Sequence, residues 1–179
     1  MGGNARTTEF LKECLSDALI KLMKEKSVEQ ITVSEIAETA SVGRTSYFRY
    51  FKSKNELLSF KLIKLWERWA ETNDLEVRND YSPANSLTFF SFNYSIRDLL
   101  ELIYLRERQT AVYNAFYTVL SPSSDAGVAE HYRSKYYTYA LFGLLDEWIL
   151  RGFNESPEEM VMIAEKIHVD RAGGTKNGR

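Results

Sequence analysis

The residues best suited to chemistry lie in one short segment, Arg44 to Lys54, which reads RTSYFRYFKSK. It combines guanidinium and ammonium groups with hydroxyls and aromatic rings, and it contains no acidic residue. Arginine and lysine bind phosphate oxygens, and arginine can also hydrogen-bond to base edges. The composition therefore predicts a contact with nucleic acid. A basic segment this short is also compatible with a solvated surface.

The residues before this segment predict a helix and a tight turn. Thr32 and Glu35 have the spacing of a capping box, in which each side chain bonds to the other residue's backbone amide. Apolar residues then follow one helix face over two turns: Val33, Ile36, Ala37 and Ala40. The pattern breaks at Ser41-Val42-Gly43, and the basic segment begins immediately afterwards.

The basic segment itself predicts a second short helix, from Arg44 to Phe51, and Ser53 is suited to cap a third. Helix, turn and helix is the helix-turn-helix plan, in which the second helix enters the DNA major groove. The order of elements therefore predicts a DNA-binding head.

The stretch from Ile31 to Leu58 resembles the TetR family of bacterial transcriptional regulators. The resemblance lies in I-T-V-x-E-I-A, V-x-R-x-S-Y-F-R-Y-F and K-x-x-L-L. It implies a three-helix DNA-binding head, an all-helical effector-binding body and a homodimer. We therefore expect an all-α chain of about nine helices. The helix-turn-helix domain is expected over residues 1–53, with residues 1–6 disordered, a ligand-binding and dimerisation domain over 54–170, and a disordered tail over 171–179.

Two departures from the family pattern concern the turn and the second helix. The family usually has glycine in the turn and serine or threonine at the start of the recognition helix, whereas this chain has Ser41 and Gly43. The family's aromatic pair is usually an apolar residue followed by tyrosine, and here it is Tyr47 followed by Phe48. The position that matches the family's phosphate-contacting tyrosine therefore lacks a hydroxyl.

The predicted DNA contacts lie on the second helix and beside it. Residues near its N-terminus are expected to read base edges, and basic and hydroxyl residues around them to hold phosphates. The predicted base readers are Arg44, Thr45 and Ser46, and the other predicted contacts are Thr32, Tyr47, Arg49, Tyr50 and Lys54.

The remaining predicted helices are rich in aromatic residues. Such residues most often pack in a core, but phenylalanine and tyrosine together can also line a pocket for a flat, mostly apolar molecule. The predicted ligand contacts are Trp66, Trp69, Phe89, Phe90, Tyr104, Tyr113, Phe116, Tyr117 and Tyr137.

The last two predicted helices carry the expected dimer interface. Gly143 lies in the middle of a helix predicted over Val128 to Arg151, where glycine costs about 1 kcal/mol relative to alanine. Close approach of a second helix would offset that cost. The predicted interface residues are Gly143, Trp148, Met160, Ile163 and Ile167.

Composition excludes several other classes of protein. The chain has 179 residues, a net charge of -2, two histidines and one cysteine, Cys14, and no apolar run of bilayer length. We expect no metal, cofactor, catalytic set or membrane contact, and therefore not an enzyme. The expected function is a cytoplasmic repressor that a small apolar molecule releases from a palindromic operator in double-stranded DNA. An activator, or an interaction module controlled by a protein partner, is the alternative.

Overall fold

The structure is a computed structural model that describes residues 2–73 and 86–173, with side chains described over 6–73 and 86–167. Within these ranges the chain forms nine α-helices and no strand, which confirms the predicted all-α class. A short 3-10 turn occupies Val28–Gln30. The helices are α1 (Gly2–Met23), α2 (Val33–Thr39), α3 (Arg44–Tyr50), α4 (Lys54–Thr72), α5 (Ser86–Ser95), α6 (Arg97–Leu105), α7 (Gln109–Leu120), α8 (Val128–Leu150) and α9 (Pro157–Gly173).

The chain ends differ from the expected boundaries. Residues 1–6 were expected to be disordered, yet α1 already begins at Gly2, because extending a formed helix adds one hydrogen bond for each residue that it fixes. At the other end, α9 continues to Gly173, so residues 171–173 of the expected tail are helical. The rest of that tail lies outside the described residues. So does Ser82-Pro83, where the sequence predicts the N-cap and first residue of the fifth helix.

The chain divides into two compact units. The first contains residues 1–77 and 102–119, and the second contains residues 78–101 and 120–179. This division differs from the predicted domain boundary between residues 53 and 54, because α4 belongs with the head. Helix α4 packs against α1, and Ser59 on α4 donates a 2.8 Å hydrogen bond to the Ala111 carbonyl on α7.

The core of the first unit forms around α1, which packs against α2, α3 and α4. Leu15, Leu19 and Met23 recur every four residues along α1 and are fully buried. Ion pairs join α1 to α4 at the rim of this core: Asp17 with Lys61 at 2.5 Å, Glu9 with Lys64, and Glu13 with Arg68. In each pair one partner is at least 40% exposed, and such partly exposed pairs each add little stability. The buried stripe is therefore the main contribution to holding α1 in place.

The turn between α6 and α7 is bonded to the C-terminal end of α1. Arg106 Nε donates to the Met23 carbonyl at 2.6 Å, and Arg108 pairs with Glu29 in the 3-10 turn. Carbonyls at the last turn of a helix have no partner within the helix. Arg106 therefore caps the C-terminal end of α1 from a distant part of the chain.

The second unit forms its core around Trp148 of α8, which is 1% exposed. Its ring lies 5.7 Å from Phe90, 5.9 Å from Tyr94 and 4.8 Å from Phe153, and its Nε1 donates to the Glu155 carbonyl at 3.0 Å. Trp148 was predicted in the dimer interface, and that prediction is wrong because its ring fills the core of a single chain.

Met160 on α9 is also buried, at 4% exposure, so the prediction that it lies in the interface is corrected in the same way.

The start of α9 agrees with the sequence. The Ser156 amide donates to Glu159 Oε2 at 2.7 Å, and the Glu159 amide donates to Ser156 Oγ at 3.2 Å. Ser156 and Glu159 have the spacing of a capping box in the sequence, and this reciprocal pair confirms it.

Candidate DNA-binding surface

The start of α2 is held by the predicted capping box. The Thr32 amide donates to Glu35 Oε2 at 2.8 Å, and the Glu35 amide donates to Thr32 Oγ1 at 3.2 Å. Lys26 pairs with the other oxygen of the Glu35 carboxylate. The Thr32 side chain is therefore exposed but already engaged in the cap, which orients α2.

The capping carboxylate gives the head a defined dependence on pH. The Lys26 hydrogen bond, followed by the bonds from the Thr32 amide and hydroxyl, lowers the pKa of Glu35 from 4.5 to about 2. A lowered folded-state pKa stabilises the fold at and above pH 4.5, and this stabilisation is lost as the pH falls towards 2.

We expect Glu35→Gln to lower the free energy of unfolding near neutral pH. We also expect it to flatten the pH dependence of that free energy between 4.5 and 2. Denaturant unfolding across this pH window measures both effects. The control is Glu38→Gln, at an exposed position on the same helix. An unchanged pH slope in Glu35→Gln would contradict the assignment.

The turn after α2 is a Schellman motif that has serine where glycine is usual. The Ser41 amide donates to the Glu38 carbonyl at 3.0 Å, and the Val42 amide donates to the Ala37 carbonyl at 2.9 Å. Ser41 has a φ of 54°, in the left-handed region that glycine adopts without steric cost. The first departure from the family pattern therefore places a mildly strained residue at the pivot of the two helices.

We expect Ser41→Gly to raise the free energy of unfolding by about 1 kcal/mol, because it removes the clash of a Cβ atom in the left-handed region. The greater freedom of glycine in the unfolded chain offsets part of the gain. Urea unfolding measures the difference. Ser34→Gly, in the first turn of α2, is the control and should destabilise the protein.

The exposed face of α3 is formed by residues at positions i, i+1, i+4 and i+5. Because an α-helix advances by about 100° per residue, these positions share one side of the helix. The residues on this face are Arg44, Thr45, Phe48 and Arg49. Three of the four were predicted to contact DNA, and Phe48 was not. Its exposed fraction of 70% makes it the most exposed residue among the aromatics of this segment.

Tyr47 lies on the opposite side of α3 and is 4% exposed. Its ring packs 6.2 Å from that of Phe51 and 5.5 Å from that of Phe48. Burial, followed by the negative charge of Glu56, raises its pKa. A ring in the core cannot reach a groove, so Tyr47 is removed from the predicted DNA contacts. Helical spacing could have indicated this, because Tyr47 shares a face with apolar Phe51 and Phe48 with Arg44.

The other predicted contacts surround this face. Arg44 lies 3.4 Å from the Ser34 hydroxyl on α2, and Ser46 is half-buried. The Thr8 side chain bonds to the Tyr50 hydroxyl and is the main cause of the lowered pKa of Tyr50. Lys54 donates to the Val28 carbonyl at 2.6 Å, and burial lowers the pKa of its ammonium group. Lys54 therefore fixes the 3-10 turn while it retains further N–H donors.

Comparison with known proteins identifies this arrangement. The model for bacterial regulatory proteins of the tetR family matches residues 15–59, and a model for a transcriptional regulator C-terminal region matches residues 87–169. The chain belongs to the TetR family. The first match spans α2 and α3 with parts of α1 and α4, and the second spans most of α5 to α9 in this TetR-family regulator.

A curated relative is the HTH-type dhaKLM operon transcriptional activator DhaS of Lactococcus lactis subsp. lactis (strain IL1403). It is 30% identical over 107 residues, which are 59% of this chain and 49% of the relative. The match thus spans about half the length of that relative. A solved structure of a dihydroxyacetone kinase operon activator DhaS covers 90% of this chain and 95% of its own, at 19% identity and a TM-score of 0.49.

The residues predicted to bind a ligand divide between the two units of this TetR-family chain. Helices α4, α6 and α7 carry six of them within the first unit, and Phe89, Phe90 and Tyr137 belong to the second. Phe90 has no exposed surface, so it packs in the core beside Trp148 and does not line an open pocket. The six in the first unit are Trp66, Trp69, Tyr104, Tyr113, Phe116 and Tyr117.

The first unit brings some of these rings together. Trp66 and Trp69 are stacked on α4 with centroids 5.9 Å apart, and Tyr113 and Tyr117 are stacked on α7 at 6.2 Å. The Ser59–Ala111 hydrogen bond joins the same two helices. The aromatic pairs therefore lie on two bonded helices of one unit.

The predicted interface residues that stay on the surface are Gly143 on α8 and Ile163 and Ile167 on α9. The isoleucines are 39% and 53% exposed. A Cβ atom built on Gly143 would meet no atom within 4 Å, so nothing in the described part of the chain requires glycine there.

Across residues 2–73 and 86–173, no helix is both long enough and apolar enough to cross a bilayer. The same residues contain no cluster of three potential metal ligands drawn from histidine, cysteine, aspartate and glutamate.

Proposed function

We propose that this TetR-family regulator binds a palindromic operator as a homodimer and inserts one α3 helix into the major groove at each half-site. The observation that carries the proposal is the exposed face of α3, which presents two arginines and a threonine on a helix with well-defined supporting contacts. Capping at Thr32 and the Schellman turn at Ser41 hold α2 at its two ends. A rigid support of this kind is what a reading helix requires.

The contacts divide into two roles. Arg44 and Thr45, in the first turn of α3, are proposed to read base edges. Arg49, at the last turn, and Lys54, at the first turn of α4, are proposed to hold phosphates with Tyr50 and Thr32 beside them. Two copies of α3 would then reach successive major grooves about 34–36 Å apart.

We expect Arg49→Ala to weaken binding to all DNA sequences alike and to reduce the salt slope by about one unit for each phosphate that is no longer neutralised. Arg44→Ala should instead relax base preference, at a cost of about 1–3 kcal/mol for the preferred base. Fluorescence anisotropy on a duplex selected from a random library, at several salt concentrations, measures both quantities.

The matched control is Arg97→Ala, at an exposed arginine on α6 in the second unit. It should change neither the salt slope nor the base preference. If Arg49→Ala altered the preference and left the salt slope unchanged, the two roles would be assigned the wrong way round. If no duplex were enriched by selection, DNA binding itself would be contradicted.

The proposed homodimer uses the outer faces of α8 and α9. Gly143, Ile163 and Ile167 stay exposed there, together with Leu150 at 67% and Met162 at 61%. Apolar side chains at these exposures support a surface that a second copy covers, in the four-helix arrangement common to helical interfaces.

The proposed effector is a mostly apolar, partly aromatic small molecule that binds beside α4 and α7. The aromatic pairs on these helices provide ring surfaces on which an aromatic ligand can stack. Helix α4 also connects this region directly to the head. Helix α4 begins at Lys54, beside the recognition helix, and packs against α1 along its length. To release DNA, the molecule must bind more tightly to the subunit arrangement that cannot span the operator. A thermal-shift screen of such compounds, followed by DNA-release assays, tests this switch.

A second candidate function is activation, with control by a protein partner. The observation that favours activation is the relative at 30% identity, whose name describes a transcriptional activator. Reporter expression separates the two candidates, because deleting a repressor raises transcription from its operator and deleting an activator lowers it.

A further inference from the structure

Phe48 occupies the centre of the exposed face of α3. With about 100° per residue, it lies about 40° around the helix from Arg44 and about 60° from Thr45, and thus between the two proposed base readers. A single exposed apolar residue is ordinary on a protein surface. A phenyl ring that is 70% exposed at the centre of a proposed reading face is in position to contact an apolar group in the groove.

The ring is held in a defined place on that face. Its edge-to-face contact with Tyr47, at 5.5 Å and 83°, joins it to a side chain that is buried in the core. Phenylalanine offers no hydrogen bond, so it can neither hold a phosphate nor read the donors and acceptors of a base. The apolar group that a base pair presents in the major groove is the C5 methyl group of thymine.

We propose that Phe48 packs against a thymine methyl group in each half-site and is a specificity-determining residue for A·T pairs at that position. The inference rests on the proposed operator binding and adds the identity of one base. Where the family has a tyrosine whose hydroxyl contacts a phosphate, Phe48 would instead contact a base through its ring. Arg44 and Thr45 provide the polar readout on either side of this apolar contact.

The test replaces thymine by uracil, which removes the methyl group and leaves base pairing intact. Each thymine of a duplex selected by the wild-type protein is replaced in turn, and the dissociation constant is measured. We expect one thymine in each half-site at which uracil weakens binding about four-fold, the effect of one buried methyl group. Phe48→Ala should weaken binding to the thymine duplex and abolish the penalty for uracil at that position.

Two further variants test whether the uracil penalty depends on the ring of Phe48. Phe48→Tyr retains the ring and should retain the uracil penalty, while Thr45→Ala should retain it as well. The proposal is overturned if uracil is tolerated at every position, or if Phe48→Ala shows the same penalty as the wild type. Failure to enrich any duplex would overturn the proposed function and this inference together, whereas enrichment without sensitivity to uracil overturns only the inference.

Discussion

Replacing Trp148 by alanine should lower the free energy of unfolding by about 3–5 kcal/mol, the usual cost of removing a buried tryptophan. The ring is surrounded by Phe90, Tyr94 and Phe153, and its Nε1 bond closes the loop that leads to α9. Since whole domains are stable by only about 5–15 kcal/mol, this one change should bring the protein close to unfolding. Denaturant unfolding followed by far-UV circular dichroism, at several protein concentrations, measures the effect.

Two control variants separate the contributions at this site. Trp148→Phe keeps most of the apolar contact and removes the hydrogen bond to the Glu155 carbonyl, so we expect it to cost clearly less than the alanine variant. Tyr132→Ala, at a position that is 76% exposed on the same helix, should change stability by no more than about 0.5 kcal/mol. If the Trp148→Ala protein dissociated on dilution but unfolded at the wild-type midpoint, Trp148 would instead lie in the dimer interface.

Replacing Gly143 by leucine should have two effects of opposite sign. Within one chain the substitution should stabilise α8 by about 0.8–1 kcal/mol, because glycine is a poor helix former and the space around it is empty. In the proposed homodimer the larger side chain would overpack the contact and cost about 1–3 kcal/mol per affected site. The combined result is a more stable subunit that dimerises less tightly.

Light scattering and sedimentation over a dilution series measure the dimer, and denaturant unfolding measures the subunit. Gly143→Ala is the matched control, since it provides at least as large a gain in helix propensity with a much smaller side chain. If Gly143→Leu dimerised as tightly as the wild type, the interface would lie away from this part of α8.

The sequence was most informative where a structural feature depends only on residues close together in the chain. The caps at Thr32 and Ser156 were predicted because their residues interact with near neighbours in the chain. The TetR-family motif likewise lies within one continuous segment, and the family matches confirm it.

The sequence was least informative where a helix has apolar residues on more than one side. On α8 and α9, Trp148 and Met160 could face either the core or a second chain, and only tertiary packing decides between them. On α3, the sequence likewise does not decide which of the adjacent rings of Tyr47 and Phe48 is buried. The assignment of α4 to the head depends on contacts with α1 and α7 that periodicity does not indicate.

The bonds from Arg106 and Arg108 to the end of α1 affect how this regulator can be recombined with others. A DNA-binding head excised at residue 53 would leave the Met23 carbonyl without its guanidinium partner and Glu29 without its ion pair. It would also lack α4, and with it the ion pairs that join α4 to α1. Chimeric regulators that exchange heads should therefore transfer residues 102–119 together with residues 1–77, because these two segments form a single unit.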